Sequence, residues 1–247
     1  MRERSLGLGA MGFHAYLQRH SIPFESAMAK GRNLQMFGRI KGEAVRATRR
    51  LATERGECPD GEGYGVRNAH LLAIAPNASS SIICGNTSPS IEPYRANAFT
   101  QKTKSGSSLL KNEYLEDTLQ DLGYDTDDVW KSILTNGGSV QHLEFLDQWT
   151  KDVFKTAVEI DQRWVIEMAG DRQEFICQSQ SLNVFFPANI SKQELHAVHM
   201  MAWKRGVKTL YYLRSEAMKR AENVSDEVLR QYIFDSIDDE GCLACEG

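Results

Sequence analysis

The chain has 247 residues, enough for one large domain or two ordinary ones. An apolar fraction of 41% and a charged fraction of 25% are those of a soluble globular protein. With 29 Lys and Arg against 33 Asp and Glu, the net charge of −4 gives no nucleic-acid footprint, although a local anion site remains open, and no apolar run could span a bilayer.

The N-terminal "MRERSLGLGAMGF" is basic and then apolar, as in a signal peptide. Glycines break the apolar run and no small-residue cleavage site precedes His14 and Tyr16, so it reads as mature protein. From Phe24 to about Leu51, Leu34, Phe37, Ile40, Ala44, Thr48 and Leu51 recur at helical spacing and predict one long amphipathic helix. "GECPDGEGYG" (56–65) is a loop. "HLLAIAP" (70–76) reads as a buried strand, followed by the polar "NASSSIICGNTSPSIEP". Helical patterns resume at about 108–122, 126–135 and 150–169, the last with Trp149, Val153, Ala157, Ile160, Trp164 and Met168 as its stripe.

"SLNVFF" (181–186), "SKQELHAVHMMAWKRG" (191–206) and "VKTLYYLRS" (207–215) read as strand, helix and strand. Ser191 and Glu194 have capping-box spacing, and Gly206 is placed as the helix stop. This is a parallel βαβ unit, so the chain is α/β. Beyond Arg214, "EAMKRAENVSDEVLRQ" is charged and weakly helical, and an acidic, mobile tail is expected to follow.

Three features invite chemistry. The five cysteines are odd in number and irregularly spaced, which argues against a secreted disulfide framework and for a reducing cytoplasm. Two of them, Cys242 and Cys245, form a terminal C-x-x-C. Zinc would need further ligands; His196 and His199 are three apart on a helix, with one expected on the packed face and the other near solvent. A thioredoxin-like site wants a strand–helix junction, which is missing. A dithiol on a tether, passing reducing equivalents by exchange, and two inert cysteines are the remaining readings.

The second feature is the Ser-rich loop after "HLLAIAP". Asn77, Ser79, Ser80 and Ser81 could offer donors to an anion where a strand opens into a short helix. The loop has no Lys or Arg and is no P-loop, and a solvated turn with capping hydroxyls stands beside the anion reading. The third is Tyr211-Tyr212. Strand alternation would put Tyr211 on the face of Thr209 and Leu213, and Tyr212 on that of Leu210, so plain packing on both sides of a covered sheet is one explanation.

Taken together, "RSLGLGAMGF", "GVRNAHLLAIAPNASSS", "GNTSPSIEPY", "TNGGSVQ", "QSQSLNVFF", "WKRGVKTLYYLRS" and the terminal C-x-x-C resemble the C-terminal portion of the large subunit of class I ribonucleotide reductase. The resemblance implies the second half of a ten-stranded α/β barrel of two five-stranded half-barrels, over residues 1–225, with a flexible acidic tail at 226–247. It implies that Pro76, Asn77, Ala78, Ser79 and Ser80 cradle the substrate diphosphate. It assigns Tyr211 and Tyr212 to a radical relay, which requires the backbone to leave ideal strand geometry and bring both rings to one side. Cys242 and Cys245 would re-reduce the active-site disulfide and be re-reduced by thioredoxin or glutaredoxin.

No metal or cofactor would bind this chain directly, the metal-radical cofactor belonging to the small subunit. The family's radical cysteine lies upstream of the match, so an N-terminal large-subunit fragment is an expected partner, with the small subunit and a ribonucleoside diphosphate. A naturally split subunit, of the kind a phage gene yields, and a truncated chain both fit. Departures are the missing tryptophan before "GVRN", and Cys177 where relatives often carry aspartate. Cys58, Cys84 and Cys177 match no catalytic cysteine. The rival classes are a non-catalytic nucleotide-diphosphate-binding remnant of the same fold and a stand-alone thiol reductase.

Overall fold

The computed structural model describes residues 2–103 and 106–215. In chain order its helices and strands are α1 (Phe13–Arg19), α2 (Ala27–Arg55), α3 (Ser80–Ile83), β1 (Ala98–Thr103), β2 (Gly106–Lys111), α4 (Glu113–Leu122), α5 (Asp127–Thr135), α6 (Gln148–Val153), α7 (Gln162–Gln173), β3 (Val184–Phe186), α8 (Lys192–Lys204) and β4 (Leu213–Ser215). The expected acidic tail at 226–247, with Cys242 and Cys245, lies outside the described residues.

The organising feature is a row of extended segments held side by side. The N–H groups of Leu6 and Leu8 donate to the His70 and Leu71 carbonyls, and Ala73 donates back to Leu8. On the opposite edge of the same segment Ile74 donates to Ser179, while Gln178 and Ser181 donate to Leu72 and Ile74. β3 pairs with β4, and this pairing and the Leu8–Leu72 and Ile74–Gln180 bridges are all parallel. The spatial order is therefore 6–9, 71–74, 178–186, 211–215, an α/β arrangement that forms part of a barrel. "HLLAIAP" is extended and bonded on both sides as read, although only Leu72 and Ile74 form ladder bridges. Gly9 is required there, because a Cβ would lie 2.8 Å from the Ala73 carbonyl oxygen.

α2 is the predicted long helix. Ser26 caps it, its Oγ accepting the Ala29 N–H at 3.1 Å. Its fully buried positions are Ala29, Asn33, Phe37, Thr48 and Ala52, a stripe rotated from the predicted one. Two of these are polar, and both serve backbone. Asn33 donates to the Met168 carbonyl at 2.9 Å, and the Thr48 hydroxyl accepts N–H groups of Arg67 and Asn68. α7 and α8 complete this cluster with Val165, Ile166, Met168, Val198 and Ala202. A second cluster gathers Leu115, Leu119, Trp130, Ile133 and Leu143 behind the β1–β2 hairpin.

Two predicted helices are corrected. Residues 108–111 lie in β2, antiparallel to β1, and helix begins only at Glu113, where Asn112 caps the Tyr114 N–H. The Ser/Gly-rich start of that segment favours a turn over a helix. The helix read across 150–169 is broken into α6 and α7. Between them the Glu159 carboxylate accepts both the N–H and hydroxyl of Thr156, Ala157 donates to the Tyr94 carbonyl, and Asp161 caps a new start. Val153, Ala157, Ile160 and Met168 are buried as predicted, whereas Trp149 is exposed and Trp164 half-buried, so the stripe holds only in part and the continuity does not.

Candidate functional site

Pro76–Ser80 leave the carboxyl end of segment 71–74, the end where open α/β sheets bind ligands. Asn77 has φ 53, and its side-chain amide donates to the Ser80 hydroxyl at 3.2 Å. Ala78, Ser79 and Ser80 are exposed, Pro76 and Asn77 half-buried. Ser81 is corrected as a donor: it is buried, and its hydroxyl donates to the Ala78 carbonyl at 3.1 Å.

The two tyrosines lie on one side, with ring centroids 4.1 Å apart, planes at 49° and phenol oxygens 3.4 Å apart. The hydrogen bonds show how alternation is defeated. Tyr211 N–H donates to Leu182 O at 2.8 Å, while Tyr212 O accepts Val184 N–H at 3.0 Å. In a regular parallel ladder one residue would make both bonds across from Asn183; here two residues share the task. That is a β-bulge, two residues opposing one, and it re-aims the side chain that would otherwise cross the sheet. β4 begins only at Leu213, after the bulge.

The bulge leaves the Tyr212 N–H outside the ladder, and the Asn183 side-chain oxygen accepts it at 3.0 Å. Asn183 is itself held by Glu92, whose two oxygens accept its backbone and side-chain N–H groups at 2.9 and 3.1 Å. Both are almost wholly buried. Burial pushes the Glu92 carboxyl above its ordinary range, outweighing the Asn183 bonds and the charges of Arg95 and Arg214. The Arg214 guanidinium also sits 5.0 Å from the Tyr212 ring centre. Sequence reading missed Glu92, Asn183, Arg95 and Arg214 as site residues. The signal lay in "IEPY" and "SLN", which contain a carboxylate and an amide in otherwise apolar runs.

Elsewhere, His196 and His199 are both exposed, correcting the expectation that one would pack inward. Among the described residues, no group of three or more His, Cys, Asp or Glu is arranged to hold a metal ion, and no helix is long and apolar enough to cross a membrane. Cys58 is buried, Cys84 exposed and Cys177 half-buried, all as free thiols. The Cys177 sulfur accepts the N–H groups of Leu71 and Leu72 at 3.1 and 3.2 Å. Burial raises its pKa, but these two bonds and the Lys41 charge bring it below the usual thiol value. An acceptor for two backbone donors is a role that an aspartate carboxylate could also fill. A cleft at the carboxyl end of β3, lined by Phe186, Pro187, Ile190 and Val198, holds none of the predicted site residues.

The family model described as "Ribonucleotide reductase, barrel domain" matches residues 1–62 and 59–213. A putative ribonucleoside-diphosphate reductase large subunit of Frog virus 3 is 49% identical over 245 residues, covering 99% of this chain and 42% of the relative. The large subunit of Invertebrate iridescent virus 6 is 50% identical over 228 residues, 91% of this chain and 24% of the relative. Among solved structures, the Actinobacillus ureae class Id ribonucleotide reductase alpha subunit is 41% identical with a TM-score of 0.81, covering 87% of this chain and 40% of that one. The chain thus spans between about a quarter and two fifths of the length of these relatives.

Proposed function

From the premise that this chain belongs to the ribonucleotide reductase barrel-domain family, we propose that it forms the C-terminal part of the large subunit of a ribonucleoside-diphosphate reductase. In that assembly it binds the substrate diphosphate, relays a radical and restores the active-site thiols. The reaction replaces the ribose 2′ hydroxyl with hydrogen, giving deoxyribonucleotides.

The observation that carries the reading is the contact of two phenols, oxygens 3.4 Å apart, on a bulge that leaves both partly exposed to solvent. A phenol gives up an electron and a proton together, so two in contact divide one long transfer into short hops. Tyr212 and Tyr211 pass the radical between the small subunit, whose metal-radical cofactor generates it, and a cysteine on the N-terminal portion of the large subunit. Asn77, Ala78, Ser79 and Ser80 hold the diphosphate by backbone N–H groups and hydroxyls, and Pro76, which has no N–H to donate, fixes the backbone where the loop begins. These are donors without a fixed positive charge, so the loop positions the substrate more than it attracts it. Cys242 and Cys245 carry reducing equivalents from thioredoxin or glutaredoxin.

The test is reconstitution of this chain with the N-terminal portion and the small subunit, followed by assay of nucleoside-diphosphate reduction. Tyr212→Phe abolishes turnover with dithiothreitol and with thioredoxin while assembly stays intact. Cys245→Ser keeps turnover with dithiothreitol and loses it with thioredoxin. Wild-type assembly without reduction would overturn the proposal.

A further inference from the structure

Tyr212 N–H has been displaced from the sheet ladder, and whatever accepts it fixes the bulge. Its acceptor, Asn183 Oδ1, belongs to an amide that could turn over and present Nδ2 instead. Glu92 forbids this: one carboxylate oxygen takes the Asn183 backbone N–H at 2.9 Å and the other takes Nδ2 at 3.1 Å. With Nδ2 committed, Oδ1 must face Tyr212. A carboxylate offers acceptors only, so the polarity of the chain Glu92 → Asn183 → Tyr212 is set at its buried end.

We infer that Glu92 is a positioning residue for the tyrosine pair, acting through Asn183 to hold the bulge that puts both phenols on one side. The inference rests on the proposed relay role of Tyr211 and Tyr212. Glu92 touches neither ring; it orients an amide that orients a backbone N–H. Burial raises the Glu92 pKa, and the two Asn183 bonds and the charges of Arg95 and Arg214 oppose that rise; Arg214 also lies over the Tyr212 ring, so the same cation addresses both ends of the chain.

Polarity can be reversed with almost no change of shape. In Glu92→Gln, a donor amide faces Asn183 Nδ2; relieving that clash turns the Asn183 amide and leaves a donor facing the Tyr212 N–H. Asn183→Asp sets two carboxylates against each other. The double variant restores every donor–acceptor match, because the carboxylate introduced at position 183 accepts from both the amide introduced at position 92 and the Tyr212 N–H. The assembled large subunit with the small subunit is assayed for nucleoside-diphosphate reduction, and Tyr212 amide exchange is followed by hydrogen–deuterium exchange. Each single variant should lower kcat at least about tenfold at unchanged KM, speed exchange at Tyr212 by a similar factor, and the double should return both to within about threefold of wild type. A double variant no better than either single overturns the inference, as does Glu92→Gln with kcat and exchange unchanged. If the wild-type assembly is inactive, the relay reading fails, and the clamp is still decided by exchange in the same variants.

Discussion

Lowering the pH from 7.5 to about 5 should weaken this fold chiefly through His14. Its ring is fully buried between Phe24 and Tyr94, with centroids 5.4 and 5.8 Å away. Nδ1 accepts the Tyr94 N–H at 3.0 Å, and the other nitrogen faces the Val153 carbonyl and Gln18, so the site fits neutral imidazole with its proton on Nε2. Burial lowers the pKa to about 3, against 6.5 for the free side chain, the Val153 bond opposing it only in part. The unfolded chain therefore takes a proton that the folded chain refuses. Stability is complete above pH 6.5 and is lost as pH falls from there toward 3, at about 1.4 kcal/mol per pH unit, or roughly 2 kcal/mol by pH 5. Carboxylates such as Asp147 and Asp161, whose pKa values the fold lowers, begin to contribute only nearer pH 4. His142, also lowered by burial, acts in the same window and direction, so His142→Gln serves as background. Urea unfolding by tryptophan fluorescence across pH 5–7.5 should show the slope, and His14→Gln, which keeps an acceptor and a donor without titrating, should flatten it by about 2 kcal/mol. Equal pH slopes in the two proteins would refute the reasoning, as would an NMR titration in which His14 takes up its proton near 6.5.

Other substitutions test the packing. Cys177→Val leaves the Leu71 and Leu72 N–H groups without their acceptor and should cost about 1–3 kcal/mol in urea unfolding, whereas Cys177→Asp should cost clearly less. Gly170→Ala gains helix propensity but puts a Cβ 2.8 Å from the Cβ of Arg205, forcing α7 from the turn that ends α8; a net loss of about 1–2 kcal/mol is expected from unfolding midpoints. Asn33→Leu strips a buried acceptor from the Arg172 guanidinium, which burial already holds at a pKa of about 9, and should destabilise by about 3 kcal/mol in the same assay.

The elements most legible in the sequence were those whose determinants are local. Ser191 and Glu194 announced the start of α8, and the Ser191 hydroxyl does accept the Glu194 N–H at 3.1 Å. Gly206, at φ 71, stops it. The break between α6 and α7 was hidden because it depends on Glu159 folding back to Thr156 and on Tyr94 supplying a carbonyl from far along the chain. The tyrosines divide in the same way. Their adjacency raised the question, and the resemblance required one-sided rings, but Glu92 and Asn183, separated by 91 positions, gave no local pattern linking them.

Those distant partners share a property. Buried side-chain amides recur as bridges between separate pieces of backbone. Gln162 Oε1 accepts the Phe185 N–H at 2.9 Å, Gln180 donates to the Ala169 carbonyl at 2.9 Å, and Asn97 donates to Gly138 and Phe154 across the hairpin region. An amide can donate and accept at once, so it bridges irregular backbone without burying a charge. At the tyrosine bulge the amide alone is not enough, because either of its ends could face Tyr212. A buried carboxylate removes that ambiguity, at a desolvation cost that two N–H bonds and two nearby arginines offset only in part. Among these bridges it is the one ending on a carboxylate, and it is the one that holds two phenols within reach of each other.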